Sequence, residues 1–447
     1  MAASRSKPDL RFLRIAMIWI GNNIKNREEA SVIRIRLPYG KGEIQAVVTD
    51  SCAVDEIRYQ GQDPGDPTDW IEHALETPIG SSRLVELARG RRTAVILISD
   101  ISRLCPSSLF LPGLLHELNS GGISDERILI VVALGMHRKQ TPAEIERLVG
   151  PDIVGRVRIL NHSALPEDCQ FIGTTSIGTP VEINRFVVEA DLRIATGNIE
   201  PHALAGMSGG VKALVPGVAS QRCIEANHSL SQRYPVSPGN PDNPIRRDME
   251  EVLQFLPVDF LFNVVVDHRR EILAAVAGHP IEAHRAGVQK ACQHFMVPVD
   301  RTYDTVIVST GGYPKDMQLY QAVKTLTNAS KIAKAGGRIL LCARCEELFG
   351  NGVFQYWVET IQDRERIVRM LHDHFVLGAH KVEHIDRVLR KNKVYLYSDV
   401  PDSTAELLGF HPVRDLQETV QQLSGKSHAM AYMPFGAITF PVIKSNL

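Results

Sequence analysis

The sequence predicts an α/β fold with largely parallel sheets, and three observations carry that reading. Short runs rich in β-branched residues recur along the chain, the segments between them carry apolar residues at helical spacing, and 447 residues with 44% hydrophobic content are ample for more than one core. Charge narrows the function classes. The 50 basic and 51 acidic side chains leave a formal net charge of -1, which excludes a globally basic nucleic-acid binder and an acidic tail protein and points to a small-molecule partner.

In chain order, buried strands are expected at 93–98, 128–134, 192–196, 260–266, 305–309, 338–342 and 394–398, each a short apolar run bounded by polar or turn residues. Helices are expected over 109–118, 142–148, 319–333 and 382–391, where apolar residues recur every three or four positions. The segment 234–244, with four prolines, Gly239 and two asparagines, is expected to be an exposed loop. A polar stretch near 297–303 precedes a fresh strand-loop-helix unit, so a domain boundary is expected there. This divides the chain into a larger N-terminal domain, 1–299, and a smaller one, 300–429, with a last strand in 430–447 returning to the first domain.

Seven cysteines scattered through a long chain do not form a disulfide framework, and they fit a reducing, cytoplasmic setting. The polar start at residues 1–9 carries no signal-peptide pattern. No apolar stretch approaches the ~20 residues of a membrane helix, so no membrane partner is expected.

In open α/β sheets ligands sit beyond the carboxyl ends of strands, which makes the loops after strands the place to look for chemistry. After the first strand comes Ser99-Asp100-Ile101-Ser102-Arg103. Arg103 offers a two-pronged fork for a carboxylate or phosphate, against the simpler reading of a helix cap and a surface arginine. The next strand leads to Gly135-Met136-His137-Arg138, and another apolar run leads to Asn161-His162-Ser163. A single loop histidine is more often a polar loop residue than a catalyst.

The densest segment runs from Gly197 through Glu200-Pro201-His202 to Ser208-Gly209-Gly210-Val211-Lys212. Its small residues let backbone N–H groups approach an anion, and Lys212 adds a charge. The spacing matches neither the P-loop nor the Rossmann glycine pattern, so ATP hydrolysis and ordinary nicotinamide binding are unsupported. His228, in Asn227-His228-Ser229, is a candidate ligand for nickel, copper or zinc. No His-Glu-x-x-His occurs, and Cys342-Ala343-Arg344-Cys345 lacks a second pair, so a protein-built zinc site is not expected. Farther on, Thr310-Gly311-Gly312-Tyr313-Pro314 precedes a helix on which Tyr320, Gln321 and Lys324 lie on adjacent faces.

Together these segments resemble the nickel-pincer-nucleotide lactate racemase family over nearly the whole chain. The resemblance rests on Asp100-x-Ser102-Arg103-x-x-Pro106, Gly135-Met136-His137-Arg138, Asn161-His162, Gly173-Thr174-Thr175, Glu200-Pro201-His202, Ser208-Gly209-Gly210-x-Lys212, Asn227-His228-Ser229, and Gly311-Gly312-Tyr313-Pro314 followed by Tyr320-Gln321-Ala322-Val323-Lys324. It implies two α/β domains with the active site in the interdomain cleft. It also implies a nickel-pincer nucleotide, a pyridinium-3,5-bisthiocarboxylic acid mononucleotide holding Ni, and helper proteins that synthesise it and load the nickel. By resemblance Lys212 sits at the cofactor, where some members form a covalent thioamide, with Asp100, Ser208, Gly209 and Gly210 near it and His228 as the protein's nickel ligand. His137 and His202 are the acid/base pair, Arg103 holds the substrate carboxylate, and Tyr320, Gln321 and Lys324 close the site.

The implied reaction is racemisation or epimerisation at C2 of a small 2-hydroxy acid. Hydride transfer to the pyridinium with proton transfer to a histidine gives a neutral ketone, whereas proton removal from Cα would leave a carbanion beside a carboxylate. Two departures stand out. The family commonly begins its first motif Asp-Asp and continues Thr-Arg-Pro where this chain has Ser99-Asp100 and Ser102-Arg103-Leu104, and the pattern Phe375-Val376-Leu377-Gly378-Ala379-His380-Lys381 belongs with members other than the strict lactate enzymes. His380 and Lys381 are either extra donors for a larger or more acidic substrate or solvated basic residues at a helix start. The readings set against the racemase are a metal-dependent hydrolase or lyase using His137, His202 and His228 as joint ligands, and a non-catalytic cofactor carrier.

Overall fold

The computed structural model describes residues 32–49, 52–61, 65–234 and 236–444, so the polar start at 1–9 lies outside the described residues. The first of two six-stranded sheets has the order Ile272–Gly278, Phe260–Val266, Leu192–Asn198, Ala94–Ser99, Ile128–Ala133, Arg158–Asn161. All neighbours are parallel except the first pair. Both faces of this sheet are covered, which is why its strands read as unbroken apolar runs. Along Ala94–Ser99 the alternation separates two cores. Ala94, Ile96 and Ile98 pack in one with Phe110 and Leu114 of the helix Ser107–Ser120, and Val95 and Leu97 pack in the other with Leu214, Cys223 and Ile224.

From Ala94–Ser99 the chain moves outward through Ile128–Ala133 and Arg158–Asn161, then returns to Leu192–Asn198 on the other side. Ala94–Ser99 is thus the point where strand order reverses, and a crevice opens where its loop and its neighbours' loops diverge. The second sheet repeats the device. Its order is His411–Val413, Lys393–Tyr397, Ala333–Cys342, Tyr303–Ser309, Ala429–Met433, Ala53–Glu56, parallel throughout, with the reversal at Tyr303–Ser309.

The ends of the chain depart from the sequence expectation. Ala53–Glu56, far upstream of 299, is an edge strand of the second sheet. The segment 430–447 holds part of one strand of the second sheet and then a last strand that pairs with residues of 1–299. Ala429–Met433 lies inside the second sheet, and the chain then turns at Gly436, whose N–H donates to the Ser309 carbonyl at 2.8 Å, before Phe440–Ile443 pairs with Met296–Val299 in a separate parallel ribbon. The helix expected to reach 333 ends at Ser330, because buried Ile332 and the start of Ala333–Cys342 already belong to the sheet. Pro244 in the expected loop 234–244 starts a helix, Pro244–Glu251, capped by the Asn243 side chain. Among the described residues no helix is long and apolar enough to cross a membrane.

Candidate functional site

A cleft of about 1230 Å³ lies over the reversal point of the first sheet. Asp100, Arg103, His137, His202, Ser208, Gly209, Lys212 and His228 line it from the first sheet's loops, and Tyr320, Gln321, Lys324, His380 and Lys381 line it from the second sheet's side. Gly210 lies next to the lining residue Gly209. His162 is elsewhere. It is buried between the Ala219 carbonyl, 2.9 Å from Nε2, and the Asn184 amide, 3.3 Å from Nδ1, and burial holds its pKa down to about 4, so it is a core histidine.

Asp100 is buried at the end of Ala94–Ser99 and organises the first group. Its Oδ1 accepts from the Ser102 N–H at 2.8 Å and from the Ser102 hydroxyl, while Oδ2 lies 3.0 Å from His137 Nδ1 and 3.7 Å from Arg103 Nε. Burial pushes the carboxyl pKa up, but His137, Arg103 and Ser102 outweigh it and hold the group well below the usual carboxylate range. An ionised Asp100 fixes the His137 proton on Nδ1. In the neutral ring the other nitrogen, Nε2, is then the one that can act as a base.

His202 is held in the opposite sense. Its Nδ1 accepts from the backbone N–H groups of Leu204 (3.2 Å) and Ala205 (3.3 Å), so the neutral ring carries its proton on Nε2, 3.4 Å from Lys212 Nζ. Burial, then Lys212, Lys324 and Arg103, hold its pKa well below the usual imidazole range. Lys212 is likewise depressed, first by burial and then by Arg103 and Arg246, which favours the amine form that can act as a nucleophile.

The small-residue loop before Lys212 is shaped from within. Ser208 N–H donates to the Glu200 carbonyl at 2.8 Å and Gly210 N–H to Asn263 Oδ1 at 2.7 Å, so two of the amides expected to face an anion are already used. Gly209 and Gly210 have φ +71° and +61°, and a Cβ would come within 2.6 Å of Asn263 Oδ1 or 2.5 Å of an Arg246 guanidinium nitrogen, so only glycine fits.

His228 sits near the end of Gln221–Ser229, a helix capped by Ser220. The residue is buried, and its Nδ1 has no hydrogen-bond partner. Burial, with Lys212 and Lys381 adding, lowers its pKa to about 3, so the ring is neutral and able to ligate. Its neighbour Asn227 donates to buried Asp248 at 2.7 Å, and Asp248 also accepts from Thr175 (2.5 Å) and Thr179 (2.7 Å). This carboxylate ties the helix carrying His228 to the Gly173-Thr174-Thr175 segment.

Two contributors escaped the sequence reading. Glu200 and Lys315 were legible only as letters of their loops, with no role assigned, yet Lys315 Nζ lies 3.1 Å from both Glu200 oxygens. The signal was the position of each at the carboxyl end of a strand.

Residues 39–237 match the lactate racemase N-terminal domain and residues 299–437 the lactate racemase C-terminal domain. Over 405 residues the chain is 33% identical to the lactate racemase of Thermoanaerobacterium thermosaccharolyticum, an alignment covering 87% of this chain and 93% of that protein. The chain belongs to the lactate racemase family. It is also 36% identical over 339 residues to the lactate racemase of Lactiplantibacillus plantarum, covering 74% of this chain and 80% of that protein. The structure of the lactate racemase apoprotein from T. thermosaccharolyticum matches with a TM-score of 0.81 at 32% identity, over 92% of this chain and 100% of that one. A Thermotoga maritima protein matches with a TM-score of 0.67 at 18% identity over 86% of this chain and 100% of that one, which shows a shared fold. Membership makes the chain an isomerase of the racemase type.

The lactate racemase family uses a nickel cofactor. The cleft fits such a group. Among the described residues no three or more His, Cys, Asp or Glu side chains are arranged to hold a metal ion, so joint ligation by His137, His202 and His228 is not available. One buried imidazole with an unpartnered nitrogen and a nearby neutral amine suit a metal whose other donors arrive with an organic ligand.

Proposed function

We propose that this racemase acts at C2 of a small 2-hydroxy acid, using a nickel-pincer pyridinium mononucleotide held by Lys212 and His228. The observation that carries the reading is the pairing in one cleft of two imidazoles in opposite proton states, with an arginine fork beside them. Bound in the cleft, the cofactor supplies a reversible acceptor for the substrate's C2 hydride. The remaining work belongs to the chain. Arg103 Nε lies 3.7 Å from Asp100, and its terminal nitrogens make no hydrogen bond among the described residues, so they serve as the carboxylate fork. His137, oriented by Asp100, takes the hydroxyl proton of one enantiomer at Nε2. His202 is the partner of the other enantiomer, and it accepts that hydroxyl proton at Nε2 once the ring's own proton has moved to Nδ1 and the Leu204 and Ala205 N–H contacts there have been released. Tyr320, Gln321 and Lys324 close the site over the substrate.

The test is to produce the chain together with proteins that synthesise the cofactor and load nickel, then incubate it with a panel of single-enantiomer 2-hydroxy acids. Chiral chromatography should show at least one pure enantiomer relaxing towards a mixture, with nickel and a sulfur-bearing mononucleotide released on denaturation. A nickel- and cofactor-loaded protein that leaves every member of the panel optically pure overturns the reading.

A further inference from the structure

On the second-sheet side of the cleft, His380 is 2% exposed and Lys381 4% exposed, and both line the cavity. They stand at the start of the helix Lys381–Leu389 but are not the solvated residues such a position usually holds. Neither is satisfied from within. Lys381 Nζ lies over the Tyr320 ring, 4.5 Å from its centroid, and is paired with no carboxylate among the described residues. His380 Nδ1 accepts from the Gly378 N–H at 3.1 Å, which puts the ring proton on Nε2, and that buried nitrogen has no partner. Lys324 adds a third basic group. The carboxylate within its influence, Glu200, is already held through both oxygens by Lys315.

Burying basic groups and a donor without partners is costly, and folds keep such groups where a ligand completes them. Arg103, across the cleft, is enough for one carboxylate. With the cofactor's phosphate held elsewhere, a substrate with a single acidic group leaves Lys381, Lys324 and the His380 N–H without an anionic partner. We propose that Lys381, His380 and Lys324 form a second anion subsite, and that the substrate is a 2-hydroxydicarboxylate whose far carboxylate binds there while Arg103 holds the near one. This rests on the racemase reading above.

The test uses the cofactor-loaded protein with malate and lactate as substrates, and succinate and propionate as unreactive probes. Malate should be racemised with a kcat/KM about 100-fold or more above that of lactate. Replacing Lys381 by Gln should lower the malate value, chiefly through KM, by about tenfold more than the lactate value, and Lys381→Arg should restore part of the preference. By calorimetry succinate should bind the loaded protein about tenfold or more tighter than propionate, and Lys381→Gln should erase the difference. Equal handling of malate and lactate, with succinate binding no tighter than propionate, overturns the subsite and leaves the racemase reading standing. If no 2-hydroxy acid is racemised, that reading fails while the succinate titration still decides whether the anion site exists. A Lys381→Gln protein that retains less mononucleotide per chain, with its malate-to-lactate ratio unchanged, assigns the subsite to the cofactor's phosphate and also overturns the proposal.

Discussion

At His137 and His202 one side-chain type is held in two proton states by its neighbours, a carboxylate at the first and two backbone N–H groups at the second. If the two act on opposite enantiomers, His137→Ala and His202→Ala should each lose the single-turnover ketone yield from one enantiomer by about 10²–10⁴-fold and keep part of it with the other, in opposite senses. Rapid quenching of each variant with each pure enantiomer reads this directly, and equal losses with both enantiomers would exclude the division of labour. Asp100→Asn should lower turnover by at least about 100-fold with little change in nickel content, since the amide no longer fixes the His137 tautomer. Arg103→Lys keeps the charge but not the fork, and should reduce kcat/KM by about two orders of magnitude. The residues behind these predictions were legible because each stands directly after a strand in a short motif. What the sequence did not disclose is their proton states, which depend on the Leu204 and Ala205 amides and on a carboxylate 37 positions from His137.

Between elements, the Glu200–Lys315 pair joins the loop after Leu192–Asn198 to the loop after Tyr303–Ser309. Glu200 is buried and Lys315 largely so, so Lys315→Met strands a carboxylate and should destabilise the protein by roughly 3 kcal/mol, read from urea midpoints at pH 7. Burial raises the Glu200 pKa, but Lys315, Lys324 and Arg103 outweigh it and the folded value is lowered. The stability this lends is present above the ordinary glutamate pKa, about 4.3, and is lost as pH falls below it. Wild type and Glu200→Gln should therefore differ at pH 7 and converge in acid. The strands of the first sheet were legible because burial on both faces makes them continuous apolar runs. The hairpin Ile33–Tyr39/Gly42–Val48 escaped notice because its residues alternate with arginines, Gln45 and Glu43. Ala53–Glu56 escaped because an edge strand of four partly exposed residues carries no pattern of its own.

Over the whole molecule, the first sheet is assembled from one continuous stretch, 94–278, but the second is not. The second takes Ala53–Glu56 from near the start, and the hairpin turn is bound to a cleft loop through Gly40, whose N–H reaches Asp316 at 2.6 Å and whose carbonyl accepts from the Tyr313 N–H at 2.7 Å. A break at 299 therefore takes the edge strand Ala53–Glu56 from the second sheet and the partner strand Phe440–Ile443 from Met296–Val299. Fragments 65–299 and 300–444 expressed apart should be largely insoluble or aggregated by size-exclusion chromatography, while adding 32–60 to the second should recover more of it in soluble form.

The edge strand at Ala53–Glu56 also constrains how relatives can be recombined. A gene chimera that exchanges only the C-terminal half between two family members would pair one parent's Ala53–Glu56 with the other parent's Ala429–Met433, and would set one parent's Gly40 turn against the other's Gly312-to-Asp316 loop. Functional hybrids are therefore to be sought with two crossovers, one near residue 61 and one near 299, so that the hairpin and the edge strand travel with the half they complete.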